Sequence, residues 1–331
     1  MDQMLTPDMS GQTVLITGGL GFIGSNLARR CLELGAEITI YDCLDPRSGG
    51  NIFSVRDIEK SVHIVLNDIR NFEGVNACIR GHTILFNCAA YTSHPNSMKD
   101  PLIDIDVNCK GVINLLEAAR RFNPEMKIVH VGTSTQIGRM HTSPVDEWHS
   151  EFPVDIYSAN KTASEKYVLI YGSAYKMRTT VVRLANIYGP RSNIKSPDFG
   201  FMNYFIGLGL QGKPITVYGN GSQLRNVSFV EDAVNALVLA AMDDEANREV
   251  FFATADRQYC VAEITRAICD QIGGTMQYVE WPRERQAIEI GDAVISNLRI
   301  KSRLNWQPQY SLEEGLAKTG EFFRSCLDKY L

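Results

Sequence analysis

The chain has 331 residues, 44% of them hydrophobic, and a formal net charge of −5. This length allows a large buried core, and the lack of long basic runs argues against a nucleic acid or an anionic membrane as the main partner. The sequence contains neither a signal-peptide pattern nor a run of about 18 apolar residues, so we expect a cytoplasmic protein without a membrane span. Eight cysteines without a C-x-x-C pair indicate neither a bound metal nor a disulfide framework.

A glycine-rich turn near the N-terminus is the first feature with a chemical meaning. The apolar run 13–16 predicts a buried strand, and the apolar spacing after Ser25 predicts a helix. Between them, Gly18, Gly21 and Gly24 permit a tight turn, close approach of a pyrophosphate to backbone N–H groups, and close helix packing. Strand, turn and helix together predict a dinucleotide site, although the spacing is G-x-x-G-x-x-G rather than G-x-G-x-x-G.

The second predicted strand, over residues 37–41, ends at Asp42. A carboxylate at this place, about 20 residues beyond the glycine turn, accepts hydrogen bonds from an adenosine ribose. The alternative interpretation is an acid that caps a loop. Because a carboxylate repels the 2′-phosphate of NADP, Asp42 favours NAD as the cofactor. Arg47 in the next loop is the residue that could hold a 2′-phosphate, but Asp42 would stand in its way.

The next strands extend the same sheet. Residues 62–66 predict a third strand followed by Asp68, which is placed to bind an adenine amino group; a cap for the helix from Phe72 onward is the alternative. Residues 83–86 predict a fourth strand that leads to Ala89 and Ala90, whose small side chains permit close approach to a cofactor. A helical pattern follows from about residue 102 to 120. This alternation predicts an α/β fold with a Rossmann-type, doubly wound parallel sheet.

The fifth predicted strand, over residues 126–131, leads to the hydroxyl group of Thr133. Chemistry in an open parallel sheet lies at the carboxyl ends of the strands, so Thr133 is a candidate substrate ligand. Tyr157 and Lys161 follow at i and i+4 of a helix and project from one face. A cation beside a phenol lowers the pKa of the phenol, which would make Tyr157 a general base near neutral pH. A solvated helix face with the same spacing is the alternative, and the preceding sheet argues against it.

Together these motifs resemble the extended short-chain dehydrogenase/reductase family, specifically its NAD-dependent nucleotide-sugar epimerases and dehydratases, nearly from end to end. The resemblance implies a catalytic triad of Thr133, Tyr157 and Lys161. In it the tyrosine is the acid and base, the lysine also holds the nicotinamide ribose, and the hydroxyl positions the sugar. Asn108 is expected to steady the active-site helix. The expected NAD-binding residues are Gly18, Gly21, Phe22, Ile23, Gly24, Asp42, Asp68, Ile69, Ala89, Ala90, Asn108, Tyr157, Lys161 and Leu184.

The second half of the chain resembles the part of that family that binds a nucleoside-diphosphate sugar. Asn186 matches a phosphate contact, and Arg225 matches an arginine that grips the diphosphate, a task suited to a planar fork of donors. Residues 214–218 match the strand that pairs with the base. The expected substrate-binding residues are Thr133, Asn186, Arg191, Val217, Tyr218, Arg225 and Asp292. We expect an NAD-binding domain over 10–190, with core elements returning around 226–255, and a smaller C-terminal α/β substrate-binding domain over 191–331.

Two positions depart from the epimerase pattern. Ile137 stands directly before Gly138, where an aromatic residue is common, which alters the pocket beside the sugar. A second diphosphate arginine often stands in an R-x-G-D motif, whereas residues 289–292 read E-I-G-D, so Asp292 matches and the arginine does not. Arg283 or Arg285 is a candidate replacement. His94 is interpreted as a loop histidine without a catalytic role.

The residues after Thr133 select among the reactions of the family. Its dehydratases place Asp-Glu directly after the threonine, and its decarboxylases place a glutamate two positions after it. Ser134 and Thr135 stand there instead, and neither can act as a carboxylic acid or base. The resemblance therefore favours an isomerase that inverts C4 of the sugar through a transient 4-keto sugar. A CDP-sugar 2-epimerase, a 4-ketoreductase, a 4,6-dehydratase and a decarboxylase are the alternatives within the family.

Two further expectations concern the class of function and the assembly. A non-catalytic NAD-binding regulatory protein would use the same sheet, because a fold alone does not fix an activity; the intact set of Thr133, Tyr157 and Lys161 argues against it. The resemblance also implies a homodimer built from the helices that contain Asn108 and Tyr157.

Overall fold

The structure, a computed structural model, describes residues 7–283, 286 and 289–331. The strands are β1 (Thr13–Thr17), β2 (Glu37–Asp42), β3 (Val62–Leu66), β4 (Ile84–Asn87), β5 (Lys127–Thr133), β6 (Arg178–Leu184), β7 (Ile187–Tyr188), β8 (Pro214–Tyr218), β9 (Leu224–Asn226), β10 (Ser228–Phe229), β11 (Val250–Ala253), β12 (Gln258–Cys260) and β13 (Thr275–Val279). The α-helices are α1 (Phe22–Glu33), α2 (Phe72–Ile79), α3 (His94–Lys99), α4 (Pro101–Ile105), α5 (Val112–Phe122), α6 (Ile156–Tyr175), α7 (Phe201–Leu210), α8 (Val230–Met242), α9 (Val261–Gln271), α10 (Leu298–Leu304) and α11 (Leu312–Cys326).

The largest layer is a seven-stranded parallel sheet with the order β11, β6, β5, β4, β1, β2, β3. The predicted Rossmann-type, doubly wound sheet is therefore confirmed. Its order reverses at β1 and β4, the place where an open α/β sheet leaves a crevice for a ligand. The edge strand next to β6 is β11, which lies far along the sequence, so the sheet includes residues from beyond position 190.

Alternate residues of the central strands fill two cores, one on each face of the sheet. Ile16 and Phe86 belong to the core that also contains the apolar sides of α1 and α8, whereas Leu15 and Leu85 belong to the core beneath α2, α5 and α6. The strands read as apolar runs because both faces are covered. The helices on the second face hold the residues around Tyr157 in place.

A π-helical segment, Asp106–Gly111, joins α4 to α5. The predicted helix over 102–120 is thus confirmed as one continuous helical path with a wider turn in its middle. Such π segments are rare and often lie at functional sites. Here the wider turn contains Asn108, whose side chain is buried.

The C-terminal part of the chain adds small sheets and returns to the first half. β8 pairs with β13 in parallel, and β9 pairs with β12 in antiparallel orientation. Trp306 is buried and donates through Nε1 to the backbone oxygen of Asp232 at 3.0 Å. Near the end of the chain, the Tyr330 ring packs edge-on against Phe53 and Phe323, and its hydroxyl lies 3.1 Å from Ser54 Oγ. In the part of the chain described, no helix combines the length and apolar surface needed to cross a bilayer.

Candidate active site

A cleft with a cavity volume of about 480 Å³ follows the carboxyl ends of the parallel strands. This volume is within the usual range for sites that hold small molecules. Fifteen of the residues expected to bind cofactor or substrate line it. They are Gly18, Gly21, Phe22, Ile23, Gly24, Asp42, Asp68, Ile69, Ala89, Ala90, Thr133, Tyr157, Lys161, Leu184 and Asn186. The structure thus brings together residues that are up to 168 positions apart (18 to 186).

The glycine turn forms a cradle that side chains would fill. Gly18 has φ of +68°, and a Cβ atom on it would lie 2.7 Å from the backbone nitrogen of Ala89. A Cβ atom on Gly24 would lie 2.3 Å from the backbone oxygen of Gly18. Gly21 is the N-cap residue of α1. Free N–H groups at a helix N-terminus next to such a bare backbone fit the pyrophosphate of a dinucleotide.

Two acidic residues border the same end of the cleft. Asp42 accepts hydrogen bonds from the backbone N–H groups of Leu20 at 3.0 Å and Leu44 at 2.9 Å. Burial raises the pKa of the Asp42 carboxyl, although these two bonds oppose the rise. Asp68 pairs with Arg70 at 2.5 Å; burial alone would raise its pKa, but the bonds and charge of Arg70 bring the pKa below its usual value.

Arg47, the residue considered for a 2′-phosphate, is engaged elsewhere. Its guanidinium donates to both carboxylate oxygens of Asp45, at 3.0 Å and 2.7 Å. Asp42 itself stays at the cleft without an arginine partner among its described hydrogen bonds. This end of the cleft therefore fits an unphosphorylated ribose better than a 2′-phosphate.

The expected triad lies at the other end of the cleft. Tyr157 and Lys161 are both in the first turns of α6 and are 7% and 3% exposed. The position of the Lys161 amino group is fixed by β5, because Nζ lies 2.7 Å from the backbone oxygen of Val131 and 3.1 Å from His130 Nε2. Thr133 ends β5 beside the phenol.

The charges of this triad differ from the expectation. Burial raises the pKa of the Tyr157 phenol, and the carboxylates of Asp104 and Asp155 raise it further, while the Thr133 hydroxyl lowers it. Burial also lowers the pKa of Lys161 to about 8. The predicted lowering of the Tyr157 pKa by Lys161 is wrong for this structure, since the amine is directed at His130 and Val131 and desolvation of the phenol dominates.

A chain of hydroxyl groups connects the triad to a histidine and a carboxylate. Thr133 Oγ1 lies 3.1 Å from Thr135 Oγ1, and the Ser158 hydroxyl is 3.1 Å from both Thr135 Oγ1 and Asp155 Oδ2. Asp155 Oδ2 is 2.8 Å from His94 Nδ1. Burial acts to raise the pKa of Asp155, but the hydrogen bond and charge of His94 outweigh it and the pKa is lowered.

His94 is therefore more closely tied to the site than its sequence suggested. It lines the cleft, and its ring packs edge-on against Tyr157 with a centroid distance of 4.9 Å. Its partner Asp155 is the N-cap of α6 and accepts from Ser158 N at 2.8 Å. The sequence signal for Asp155 is its place directly before the predicted helix, because Asp is a common N-cap residue.

A buried ion pair supports the turn that carries Thr133. Gln136 Oε1 accepts from Thr133 N at 3.0 Å, and Gln136 Nε2 donates to Glu165 at 2.9 Å. Arg183 donates to both Glu165 oxygens, at 2.7 Å and 2.6 Å. Arg183 and Glu165 are 1% and 0% exposed, so their geometry is tightly fixed. The turn rests on side chains of α6 and β6.

Asn108 supports the site from below and does not line the cleft. Its side chain accepts from Tyr91 N at 3.1 Å and donates to Tyr91 O at 2.8 Å and to Asp104 Oδ1 at 2.9 Å. Asp104 Oδ1 also accepts from Asn160 of α6 at 2.8 Å. This bridge joins α6 to the segment of Asn108, as expected for a residue that steadies the active-site helix. The expected contact of Asn108 with the cofactor stays a prediction, and both amide atoms already have partners within the chain.

Arg191 also lies away from the cleft. Its guanidinium donates to Asn26 Oδ1 at 3.1 Å and stacks over the Phe322 ring at 4.8 Å. Burial and the nearby charge of Arg29 lower the pKa of Arg191 to about 10. These contacts join α1 to α11, and the expected substrate contact of Arg191 stays a prediction that they do not support.

The remaining expected substrate residues do not line this cleft. Arg225 donates to Glu289 at 2.7 Å and to the backbone oxygen of Gly291 at 2.6 Å, and Asp292 accepts from Leu224 N at 2.8 Å. Val217 is buried and Tyr218 stands against Trp281 at 5.2 Å. Arg283 is exposed, and Arg285 lies outside the described residues. Their contacts with a nucleotide sugar stay predictions.

Comparison with known proteins agrees with this geometry. The profile of the NAD dependent epimerase/dehydratase family matches residues 14–252. A UDP-glucose 4-epimerase of Mycolicibacterium smegmatis is 31% identical over 316 residues, 94% of this chain and 98% of the relative. A UDP-N-acetyl-alpha-D-glucosaminuronate decarboxylase of Bacillus cytotoxicus is 29% identical over 94% of this chain and 97% of its own. The crystal structure of a Thermus thermophilus UDP-glucose 4-epimerase complex with NAD has a TM-score of 0.85 at 28% identity, covering 95% of this chain and 100% of that chain.

Proposed function

We propose a C4 epimerase activity for this protein, which belongs to the NAD-dependent epimerase/dehydratase family. In this proposal a nucleoside-diphosphate sugar is inverted at C4 through a transient 4-keto sugar, as in a UDP-glucose 4-epimerase. The observation that carries the proposal is the cluster of hydroxyl groups around Thr133. A 4-epimerase and a decarboxylase are similar to this chain at nearly equal sequence identity, so identity does not distinguish the two reactions. The proposal of an epimerase therefore depends on the residues around Thr133.

NAD is the cofactor of the family, and the residues present fit it. The bare backbone at Gly18 and Gly24 would hold the pyrophosphate, and Asp42 would hold the adenosine ribose. When bound, NAD supplies a reversible acceptor for the hydride of a sugar carbon. A reaction with no net redox change needs no exchange of this cofactor, so we expect NAD to be retained through purification.

The residues of the chain provide the proton transfer. Tyr157 takes the proton of the C4 hydroxyl and later returns it, and Thr133 holds the same oxygen. The Thr133 hydroxyl favours the ionised phenol, whereas burial, Asp104 and Asp155 oppose it. The low exposure of Tyr157 excludes bulk water from the reacting oxygen.

The side chain at position 135 favours C4 epimerisation over elimination of water and over decarboxylation. Thr135 lines the cleft and is bonded to Thr133 and Ser158, so its side chain occupies the place where other members of the family carry an acid. A hydroxyl group cannot donate or remove a proton at carbon with the strength of a carboxylic acid or carboxylate. This supports inversion over loss of water or CO₂.

The test is turnover of a panel of UDP-, dTDP-, GDP- and CDP-sugars by the purified protein, followed by proton NMR. We expect inversion at C4 with deuterium placed at C4 kept in the product. Loss of that label to solvent would refute the hydride route. Inversion at C2 of a CDP-sugar would indicate a 2-epimerase, consumption of added NADH a 4-ketoreductase, and release of CO₂ a decarboxylase. No turnover with NAD bound would favour the regulatory alternative.

A further inference from the structure

A row of buried polar side chains runs under the cleft and ends at Lys161. The register of the sheet places Thr17, Asn87 and His130 side by side on β1, β4 and β5. Thr17 Oγ1 donates to Asn87 Oδ1 at 2.8 Å, Asn87 Nδ2 lies 3.0 Å from His130 Nδ1, and His130 Nε2 lies 3.1 Å from Lys161 Nζ. All four side chains belong to residues that are at most 3% exposed. None of the first three has a role in the proposed reaction.

The order of donors along this row fixes the proton of the histidine. The Thr17 hydroxyl gives its hydrogen to the Asn87 oxygen, so the amide N–H of Asn87 faces His130 Nδ1. A neutral imidazole that accepts at one nitrogen carries its proton on the other. The proton of His130 therefore lies on Nε2 and points at Lys161. Turning the Asn87 amide over would leave the buried Thr17 hydroxyl without its described acceptor, which is unfavourable.

A proton on Nε2 has a consequence for the lysine. An ammonium group has only donors, whereas a neutral amine has a lone pair that accepts a hydrogen bond. His130 Nε2–H and a Lys161 ammonium would present donor to donor across 3.1 Å. The neutral amine satisfies all contacts, because it accepts from His130 and still donates to Val131 O at 2.7 Å.

We propose that His130 is a positioning residue which, through the donor order set by Thr17 and Asn87, favours the neutral form of Lys161 and so holds back ionisation of Tyr157. The proposal rests on the proposed function in that Tyr157 is the proton carrier. Burial independently lowers the pKa of Lys161 and keeps the pKa of His130 well below its usual value, so both shifts have the sign that the proposal requires.

Other groups near Lys161 either favour its charged form or carry no charge. On its own helix, Glu165 favours the charged lysine, and Asp104 of α4 does the same. Burial raises the pKa of both neighbouring thiols, Cys88 after β4 and Cys109 in the π segment, so both stay protonated. The remaining neighbour of His130 Nε2 is Ser164 Oγ at 3.4 Å, which carries no charge.

The test is an ultraviolet titration of tyrosinate in the protein as purified, with each variant compared with its own Tyr157→Phe partner so that only Tyr157 contributes. Thr17→Val removes the hydroxyl donor, which frees Asn87 to offer its oxygen to His130 and lets His130 accept from a lysine cation. We expect Tyr157 to ionise roughly half to one pH unit lower in this variant. Thr17→Ser keeps the hydroxyl and should titrate as the unmodified protein does.

Two further measurements test the inference without depending on the folding of Thr17→Val. His130→Gln can present an amide oxygen to Lys161, so it should produce the same downward shift even if Thr17→Val does not fold. Nitrogen-15 NMR of histidine-labelled protein, with His130 assigned by that variant, should report the proton on Nε2; a proton on Nδ1 would overturn the proposal. Equal titration of Tyr157 in all variants would also overturn it. Neither measurement needs a substrate, so failure of the epimerase proposal would show up separately in the turnover panel.

Discussion

The phenol of Tyr157 is the residue on which the proposed proton transfer depends. Tyr157→Phe should lower kcat by about 10²- to 10⁴-fold, the usual contribution of a general acid or base. Substrate and NAD binding should change little, because phenylalanine keeps the ring that packs against His94. Steady-state kinetics together with equilibrium dialysis would measure both effects.

A matched control for this change lies on the same helix. The Tyr171 hydroxyl donates to Glu117 at 2.8 Å, away from the cleft, so Tyr171→Phe should leave kcat close to that of the unmodified protein. A comparable loss of rate in both variants would mean that the effect comes from the stability of α6 rather than from acid and base chemistry.

Lys161 has a second expected task that separates it from Tyr157. Because the lysine is predicted to bind the nicotinamide ribose as well as to act on the phenol, Lys161→Met should lower both kcat and the amount of NAD that stays bound. Chromatography of nucleotides released from denatured protein would give the NAD content per chain. Full NAD content in this variant would contradict the ribose contact.

The sequence predicted some of these residues and missed others for a physical reason. Gly18 directly follows a strand, Asp42 and Thr133 end strands, and Tyr157 and Lys161 share a helix face, so local spacing was enough to find them. His130 and Asp155 contact the site through Lys161 and His94, which are 31 and 61 positions away in the sequence. No local pattern reports such pairings, and only the register of the sheet and the packing of α6 bring them together.

At the scale of elements, the contact of α1 with the glycine turn predicts a larger loss of stability for an alanine at Gly24 than for one at Gly21. Gly24→Ala would place a Cβ atom 2.3 Å from the Gly18 oxygen, so α1 must move away from β1. We expect a lower melting temperature and loss of bound NAD. At Gly21 the corresponding atom would lie 3.2 Å from the same oxygen, and φ is −81°.

Gly21→Ala therefore serves as the comparison for Gly24→Ala. Its methyl group should hinder the approach of a pyrophosphate while the fold stays intact, so NAD content falls with little change in melting temperature. Thermal unfolding and NAD content measured on both proteins would distinguish them. Identical melting temperatures would contradict the packing argument for Gly24.

The buried ion pair between β6 and α6 predicts a reversal of pH dependence. In the unmodified protein the pKa of Glu165 is lowered, since Arg183 outweighs burial, so its stabilising contribution is present above the unfolded pKa and is lost as pH falls. Arg183→Met leaves this carboxylate buried, with the half-exposed Lys166 as an ion-pair partner and the Gln136 amide as a hydrogen-bond donor. The free energy of unfolding should drop by about 3 kcal/mol at neutral pH.

The sign of the pH effect in Arg183→Met is opposite to that of the unmodified protein. In this variant the buried Glu165 carboxylate is poorly compensated and its pKa in the folded protein is raised. The variant is therefore destabilised most at neutral pH, and the destabilisation decreases as the pH falls through the folded pKa toward the unfolded pKa. Urea unfolding at several pH values would show this. The exposed pair of Arg178 and Asp244 provides the control, because Arg178→Met should change the free energy of unfolding by at most about 1 kcal/mol.

At the scale of the whole molecule, we propose the homodimer that the family resemblance implied. Large apolar side chains are exposed on the helices in question: Leu102, Ile105 and Ile170 are 43% to 72% exposed. α4 packs against α6, so these side chains come from neighbouring elements. Burying them against a second copy would remove their apolar surface from water.

Two substitutions on these helices test the assembly. Leu102→Glu combined with Ile170→Glu should convert a dimer into a monomer at micromolar concentration, as measured by light scattering. Leu298→Glu is the control, since Leu298 is 71% exposed on α10 outside these helices. A dimer that persists in the double variant, or a monomer in the unmodified protein, would refute the proposed interface.

The return of the last residues to the first half of the fold determines when the protein can fold during synthesis. Strand β11 covers the edge of β6 from position 250 onward, and Tyr330 packs on Phe53 and bonds with Ser54, beside the loop that borders the cleft. The ribosome delivers these parts after the other strands of the large sheet. A nascent chain that has reached residue 190 has an open sheet edge at β6, and we infer that this edge is covered only once residues 250–253 have left the exit tunnel.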